Sequence, residues 1–85
     1  MKRSRLRIIY DLLIFLKHNN EQPITSLFYS MRVSGKTAYE LIDECITKKW
    51  ITYRETNEDK RIKKLYSLTQ KGNELINLIE HTNII

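Results

Sequence analysis

Turn-forming residues are scarce in this sequence, which has only two glycines and one proline among its 85 residues. A β-sandwich or barrel needs many tight reversals, and these residue types supply much of the backbone geometry that reversals require. The chain is therefore expected to be mainly α-helical. Its hydrophobic fraction of 41% exceeds what a disordered chain contains, so we expect one small folded domain spanning residues 1–85.

Cysteine content and hydropathy indicate the cellular compartment in which the protein is expected. Cys45 is the only cysteine and has no partner for an intramolecular disulfide, which favours a reducing environment. Basic residues before the apolar run 8–16 imitate a secretion signal, but Asp11 interrupts that run and no small-residue cleavage site follows. No stretch approaches the roughly 18 apolar residues of a membrane span. We expect a soluble, cytoplasmic protein with no membrane partner.

The net charge of +5 is concentrated in two segments. Residues 1–20 carry five basic side chains and one acidic one, and residues 51–66 carry five and three. Residues 21–50 carry four of each sign. Such clustering favours a polyanionic partner, although a solvated basic face is the alternative interpretation.

The first predicted helix spans about residues 4–19, with Ser4 as its N-cap. Apolar residues recur along it in two stripes, one of which contains Ile8, Leu12 and Phe15. A chain this short has few elements with which to cover both stripes. We therefore expect this second stripe to meet another subunit.

A helix-turn-helix is predicted at about residues 25–49. Thr25 is a candidate N-cap for a brief helix of about 26–32, and Ser34 for a longer helix of about 35–49. A short helix, a tight turn and a longer helix form this motif, and the longer helix fits the major groove of DNA.

A β-hairpin is predicted at about residues 50–68. β-favouring residues occupy 50–54 and 65–68, and the polar segment 55–63 between them is expected to be a long, flexible loop. This loop would project from the domain as a charged tip.

A last helix is predicted at about residues 70–82, with Thr69 as its N-cap. Its apolar residues exceed what one stripe needs, so Leu75, Leu78 and Ile79 are expected at a dimer interface with the first helix.

The start of the third helix presents polar side chains suited to DNA. The candidate contacts there are Ser34, Lys36, Thr37 and Tyr39. Lysine can reach a phosphate or a guanine edge, and hydroxyls near a helix N-terminus suit phosphate oxygens. Asp43 and Glu44 farther along would repel phosphates, so only the first half of this helix should enter the groove.

Basic residues at the hairpin tip and the N-terminus are further candidate contacts. They are Lys60, Arg61, Lys63 and Lys64 at the tip, and Lys2, Arg3 and Arg5 in an N-terminal arm. A basic tip beside a groove-sized helix can touch flanking phosphates or insert an arginine into a narrow minor groove. Glu58 and Asp59 are expected to orient Arg61 by pairing with it. A merely solubilising charged turn is the alternative.

Three segments carry a family resemblance, namely residues 34–42 (SGKTAYELI), 46–51 (ITKKWI) and 64–72 (KLYSLTQKG). They resemble the winged helix-turn-helix transcription regulators, in particular the MarR and PadR groups and the short winged-helix chromatin and regulatory proteins of archaea. Residues 66–72 resemble the family's strand-to-helix run, and residues 59–61 resemble the Asp-x-Arg wing motif of the MarR group.

This resemblance, over about residues 5–80, implies a winged helix with an added C-terminal helix and a homodimer built from the terminal helices. It implies that the third helix reads sequence and that the hairpin, as a wing, contacts flanking DNA. By position, Ser34, Lys36, Thr37 and Tyr39 match the recognition-helix contacts, and Asp59 and Arg61 match the wing pair. Lys49 departs from the family because a glycine usually ends the recognition helix there, so a different helix end is expected. The wing is also a residue longer between Asp59 and Thr69.

The predicted function is sequence-dependent binding of double-stranded DNA by a nucleoid-associated homodimer that regulates transcription. The alternatives are a winged-helix protein-interaction module and a non-specific chromatin protein. No enzyme, metal or cofactor is expected, because His18 and His81 have no carboxylate or cysteine at ligand spacing. Residues 34–37 lack the earlier glycine and the strand of a phosphate-binding loop. A small-molecule effector is not indicated, although a dimer cleft could hold one.

Overall fold

The computed structural model describes residues 3–58 and 60–84. Over these residues the chain forms α1 (Arg5–His18), α2 (Ile24–Met31), α3 (Gly35–Thr47), β1 (Ile51–Glu58), β2 (Arg61–Leu68) and α4 (Gln70–Thr82). The predicted class, mainly α with a small β-hairpin and a C-terminal helix, is confirmed.

Three helices begin where capping residues were predicted. The side-chain oxygens of Ser4, Ser34 and Thr69 accept hydrogen bonds from the backbone N–H groups of Arg7, Thr37 and Gly72, respectively. Each bond satisfies a first-turn donor that has no partner within its own helix.

The predicted cap of α2 is wrong. Thr25 lies inside the helix, which begins at Ile24 with Pro23 at the N-cap and without a side-chain capping bond. Proline suits this boundary because its fixed φ and missing N–H are tolerated before the first turn. Gln22, just before it, exchanges two backbone hydrogen bonds with Tyr66 at 2.9 and 2.8 Å.

The end of α3 adopts the conformation that glycine usually provides. Lys49 has a φ of 63°, and its N–H donates to the carbonyl of Ile46 at 3.0 Å. The N–H of Trp50 donates to the carbonyl of Cys45 at 2.9 Å, which completes a Schellman motif. The expectation that lysine here gives a different helix end is therefore wrong, and the predicted end at residue 49 is two residues too long.

Lys49→Gly is expected to stabilise the protein, because a side chain in the left-handed region costs about 1 kcal/mol that glycine avoids. The melting temperature should rise by about 4 °C or more, as measured by thermal circular dichroism. Lys48→Gly is the matched control, since Lys48 has a right-handed φ of −79° and should lose stability on the same change. A Lys49→Gly variant that melts no higher than the unmodified protein would contradict this account.

The hairpin is paired much farther than predicted. β1 and β2 run antiparallel from the pair Ile51 and Leu68 out to the pair Glu58 and Arg61, so the expected flexible loop at 55–63 is wrong. Opposite charges face each other within that segment, and such cross-strand pairs stabilise a ladder. Lys60 has a φ of 67°, as the tight turns that join paired strands require. Asp59 lies outside the described residues.

Helix α1 lies at the centre of the core. It packs against α2, α4 and β2, which cover both of its apolar stripes. Within a single chain Ile8 and Leu12 are buried, and Phe15 packs partly buried against the core. The expectation that this stripe stays open for another subunit is therefore wrong.

On α4, Ile79 is buried and Leu75 packs partly buried against the core, whereas Leu78 is 55% exposed. Two of the three predicted interface residues on α4 are thus at least partly covered by their own chain.

As predicted, Cys45 is a core residue, and burial raises the pKa of its thiol to about 12. No helix within residues 3–58 and 60–84 has the length and apolar character to cross a lipid bilayer.

Candidate nucleic-acid interface

The turn between α2 and α3 is short and well fixed. Arg32 ends α2 in the left-handed conformation, with a φ of 54°, and its N–H donates to the carbonyl of Phe28 at 3.1 Å. The ring of Phe28 meets that of Tyr39 edge-on, with centroids 5.0 Å apart. This aromatic contact joins α2 to α3 and holds the start of α3 in place.

The four predicted residues at the start of α3 lie together on its first turn and a half. Ser34 and Lys36 are exposed, Thr37 is half-buried, and Tyr39 is 53% exposed. The Ser34 hydroxyl donates to Thr37 Oγ1 at 3.1 Å, so these two hydroxyls form one polar unit at the helix N-terminus. No ion pair involves Lys36 in the part of the chain that the structure describes.

The wing, which is the hairpin of β1 and β2, has two distinct faces. Because successive side chains of a strand alternate between its two faces, the buried Tyr66 defines an inner face that also holds Ile62 and Lys64. Arg61 and Lys63 lie on the outer face. The predicted cluster of four basic residues is therefore divided between the two sides and the turn.

Within the described wing, no ion pair joins Glu58 to Arg61, although the two residues are cross-strand partners. The predicted orientation of Arg61 by Glu58 is therefore not seen, and the Asp59 half of that prediction lies outside the described residues. On the inner face, Lys64 Nζ lies 4.7 Å from the ring centroid of Tyr53, a cation–π contact.

An open groove of 390 Å³ separates the start of α3 from the wing. Tyr39 lies on one side of it, and Ile62, Lys64 and Tyr66 of the inner face lie on the other, where Lys63 also reaches its edge. Burial raises the pKa of the Tyr66 phenol, with smaller electrostatic contributions in the same direction from nearby groups. The groove thus has a neutral, partly apolar floor with two lysines at its edge.

The base of the wing is tied to the loop before α2. Arg54 Nε donates to Glu21 Oε2 at 2.7 Å, and this pair adds to the backbone bonds between Gln22 and Tyr66. The wing is therefore attached to the loop that leads into α2 and also packs against α1, α2 and α3, which restricts how its tip can lie relative to α3.

The predicted N-terminal arm is engaged within the chain. Arg3 Nη1 lies 2.6 Å from Asp11 Oδ2, and its Nη2 donates to the carbonyl of Met31 at the end of α2. Arg5 pairs with Glu44 on α3, and this hydrogen bond raises the pKa of Arg5. Arg3 and Arg5 thus both have carboxylate partners within the chain, and their contact with phosphates stays a prediction. Lys2 lies outside the described residues.

The whole arrangement matches a known family. The family model described as Winged helix-turn-helix matches residues 2–84. The chain belongs to the winged helix-turn-helix family. Among curated proteins, none matches it in sequence.

Several solved structures share this winged-helix fold. A PadR-like transcription factor from Bacteroides fragilis is 18% identical with a TM-score of 0.78, covering 92% of this chain and 81% of that one. Sso10a-2, a DNA-binding protein from Sulfolobus solfataricus, is 22% identical with a TM-score of 0.73, covering 94% and 78%. An S. aureus MepR mutant bound to an oligodeoxyribonucleotide is 19% identical with a TM-score of 0.74, covering 88% and 55%. At these identities the likeness is one of fold.

The winged helix-turn-helix geometry adds candidate DNA-contacting residues on α2 that the sequence prediction missed. Thr25, Tyr29 and Arg32 follow each other at four- and three-residue spacing along α2 and line one surface depression of 400 Å³. Tyr29 is 83% exposed. In a helix-turn-helix the first helix crosses the DNA backbone, and hydroxyl and guanidinium groups suit that position. The four- and three-residue spacing of these side chains is visible in the sequence and could have indicated them.

Proposed function

We propose that this protein binds double-stranded DNA in a sequence-dependent manner as a homodimer and thereby regulates transcription. In this proposal α3 lies in the major groove and the wing contacts the adjacent minor groove. The observation that carries it is the open groove between Tyr39 on α3 and Lys64 on the wing. Whenever two elements occupy neighbouring grooves of a duplex, one sugar-phosphate strand must pass between them.

The charges around this groove support an anionic occupant. Lys36 lies at the N-terminus of α3, where the helix dipole also favours phosphate. Arg5 pairs with Glu44, which offsets part of the acidic charge farther along α3. In this arrangement the lysines and Arg61 supply affinity, and the side chains of Ser34 to Tyr39 supply base discrimination.

Two of the similar structures support DNA as the ligand class. One is described as a DNA-binding protein, and the other is a MepR mutant bound to an oligodeoxyribonucleotide. Binding rather than catalysis is the role proposed here, with the cytoplasm and its nucleoid as the location.

The homodimer is proposed to form through the terminal helices, with α4 as the main contributor. Leu78 is 55% exposed and Ile84 is 59% exposed, so apolar surface remains on and after α4 once the core has formed. Leu12 and Ile79, buried in their own chain, are left out of the proposed interface. Two-fold symmetry would place the two copies of α3 about one helical turn, roughly 34 Å, apart on DNA.

Selection of bound duplexes from a random pool is expected to return a palindrome with half-sites about one turn apart. On the selected duplex, the logarithm of the association constant should fall linearly with log salt, at a slope of about −0.9 per phosphate contacted. Fluorescence anisotropy at several salt concentrations measures that slope. Light scattering should give a dimer mass for the free protein.

Each possible result of these experiments tests a different part of the proposed function. Failure to bind any duplex even at low salt would remove DNA binding and favour a protein-interaction module. Binding without a consensus would indicate a non-specific chromatin protein. A monomer mass for both the free protein and the protein bound to DNA would rule out the homodimer and leave sequence-dependent DNA binding.

A further inference from the structure

We propose that Asn57 and Ile62 form a minor-groove reading pair at the wing tip that makes binding depend on A·T base pairs flanking the major-groove site. This inference rests on the proposed function and names residues to which neither the sequence nor the family resemblance gave a role.

The placement of the two residues is the first observation. Asn57 and Ile62 are direct cross-strand partners, one pair below the tip pair of Glu58 and Arg61. Side chains of direct partners stand about 5 Å apart on one face of a hairpin. Both residues share the face of the buried Tyr66, and Ile62 lines the groove opposite Tyr39, so the pair lies on the inner face of the wing, toward α3.

The exposure of Ile62 is the second observation. Its side chain is 69% exposed, and it is the most exposed large apolar side chain in the described part of the wing. It lies in a segment that is otherwise basic, between Arg61 and Lys63. Those cations on the outer face and Lys60 in the turn can engage the phosphates that border a minor groove, with Ile62 directed between them.

The chemistry of the minor groove selects A·T pairs for such a tip. An A·T pair presents only acceptors there, adenine N3 and thymine O2, to which the amide of Asn57 can donate. A G·C pair keeps acceptors but adds the guanine N2 amino group, which hinders the Asn57 amide nitrogen from reaching them. Ile62 would cover that amino group and offers it no acceptor. Exposed isoleucine side chains also serve as wedges against minor-groove base steps.

Base analogues test this reading without altering the major groove. The selected core is kept, and the flanks that the wing would reach carry A·T, G·C or inosine·C pairs. The base of inosine is guanine without its N2 amino group, so the minor groove of an inosine·C pair resembles that of A·T. We expect the G·C flanks to weaken binding by about tenfold and the inosine·C flanks to restore it.

Variants then assign the effect to the pair. Ile62→Ser and Asn57→Ala are expected to bind all three duplexes within about twofold of each other, whereas Ile62→Val keeps the discrimination because it keeps the apolar wedge. Lys63→Ala is the matched control on the same strand: it should weaken all three duplexes equally and lower the salt slope by about two, one for each subunit of the homodimer.

Two results would overturn the inference while leaving the proposed function intact. One is equal binding of the unmodified protein to the three flanks. The other is G·C discrimination that inosine does not relieve or that survives in Ile62→Ser. If the unmodified protein binds no duplex at all, the proposed function fails first and this inference fails with it.

Discussion

Gly72→Ala is expected to destabilise the protein by about 3 kcal/mol or more. A Cβ at Gly72 would lie 2.1 Å from the carbonyl oxygen of Trp50 and 2.6 Å from Leu68 Cδ1. The carbonyl has little freedom to move, because it accepts hydrogen bonds from the backbone N–H and the hydroxyl of Thr69, at 3.1 and 2.9 Å. The joint between α3, β1 and α4 would therefore have to open.

Thermal unfolding followed by circular dichroism measures the effect, and a loss of about 3 kcal/mol corresponds to a fall in melting temperature of about 12 °C or more. Gly35→Ala is the matched control, because a Cβ at Gly35 meets nothing within 4 Å. Gly35 opens α3, so alanine there should leave stability unchanged or raise it by about 0.5 kcal/mol. Equal melting temperatures for the two variants would contradict the close approach at Gly72.

The elements that sequence predicted well are those fixed by local chemistry. Ser4, Ser34 and Thr69 cap their helices because a hydroxyl at that position bonds to N–H groups only two or three residues away. Residues 55–63 were predicted as a loop because polar side chains have low strand propensity. Their pairing depends on a partner strand and a tight turn, which local propensity does not contain.

The two stripes on α1 show a different limit. The periodicity correctly predicted two apolar faces, but the covering elements are α2 on one side and α4 from the far end of the chain. Sequence spacing shows how much apolar surface a helix has, whereas only the tertiary arrangement shows what covers it. The dimer proposal accordingly rests on Leu78 and Ile84 instead of Leu12.

The candidate site was likewise predictable from the sequence only where local structure determines it. The exposed row at the start of α3 followed from one cap and the helical period, and the structure places those residues together. The partners of Arg3 and Arg5 were not readable, because Asp11 and Glu44 lie 8 and 39 residues away in sequence. Which cations are already paired with a carboxylate therefore depends on the tertiary arrangement.

Lys36→Glu is expected to weaken binding to the selected duplex by about 100-fold near physiological salt. Lys36 is exposed on the first turn of α3 and lies in no ion pair within residues 3–58 and 60–84. The substitution removes a phosphate contact and sets a carboxylate against the DNA backbone. It does so twice in a homodimer, so the salt slope should also fall by about two.

Lys71→Glu is the control that distinguishes the loss of a DNA contact from a change in the net charge of the chain. It changes the charge of the chain by the same amount, but Lys71 is exposed on α4 beside Gly72, near the opposite end of α3. It should reduce affinity only modestly, through weaker long-range attraction that salt screens. Anisotropy titrations of both variants, with melting temperatures to show that each is folded, make the comparison. If the two substitutions weaken binding equally, Lys36 does not touch DNA and the assignment of α3 to the major groove is wrong.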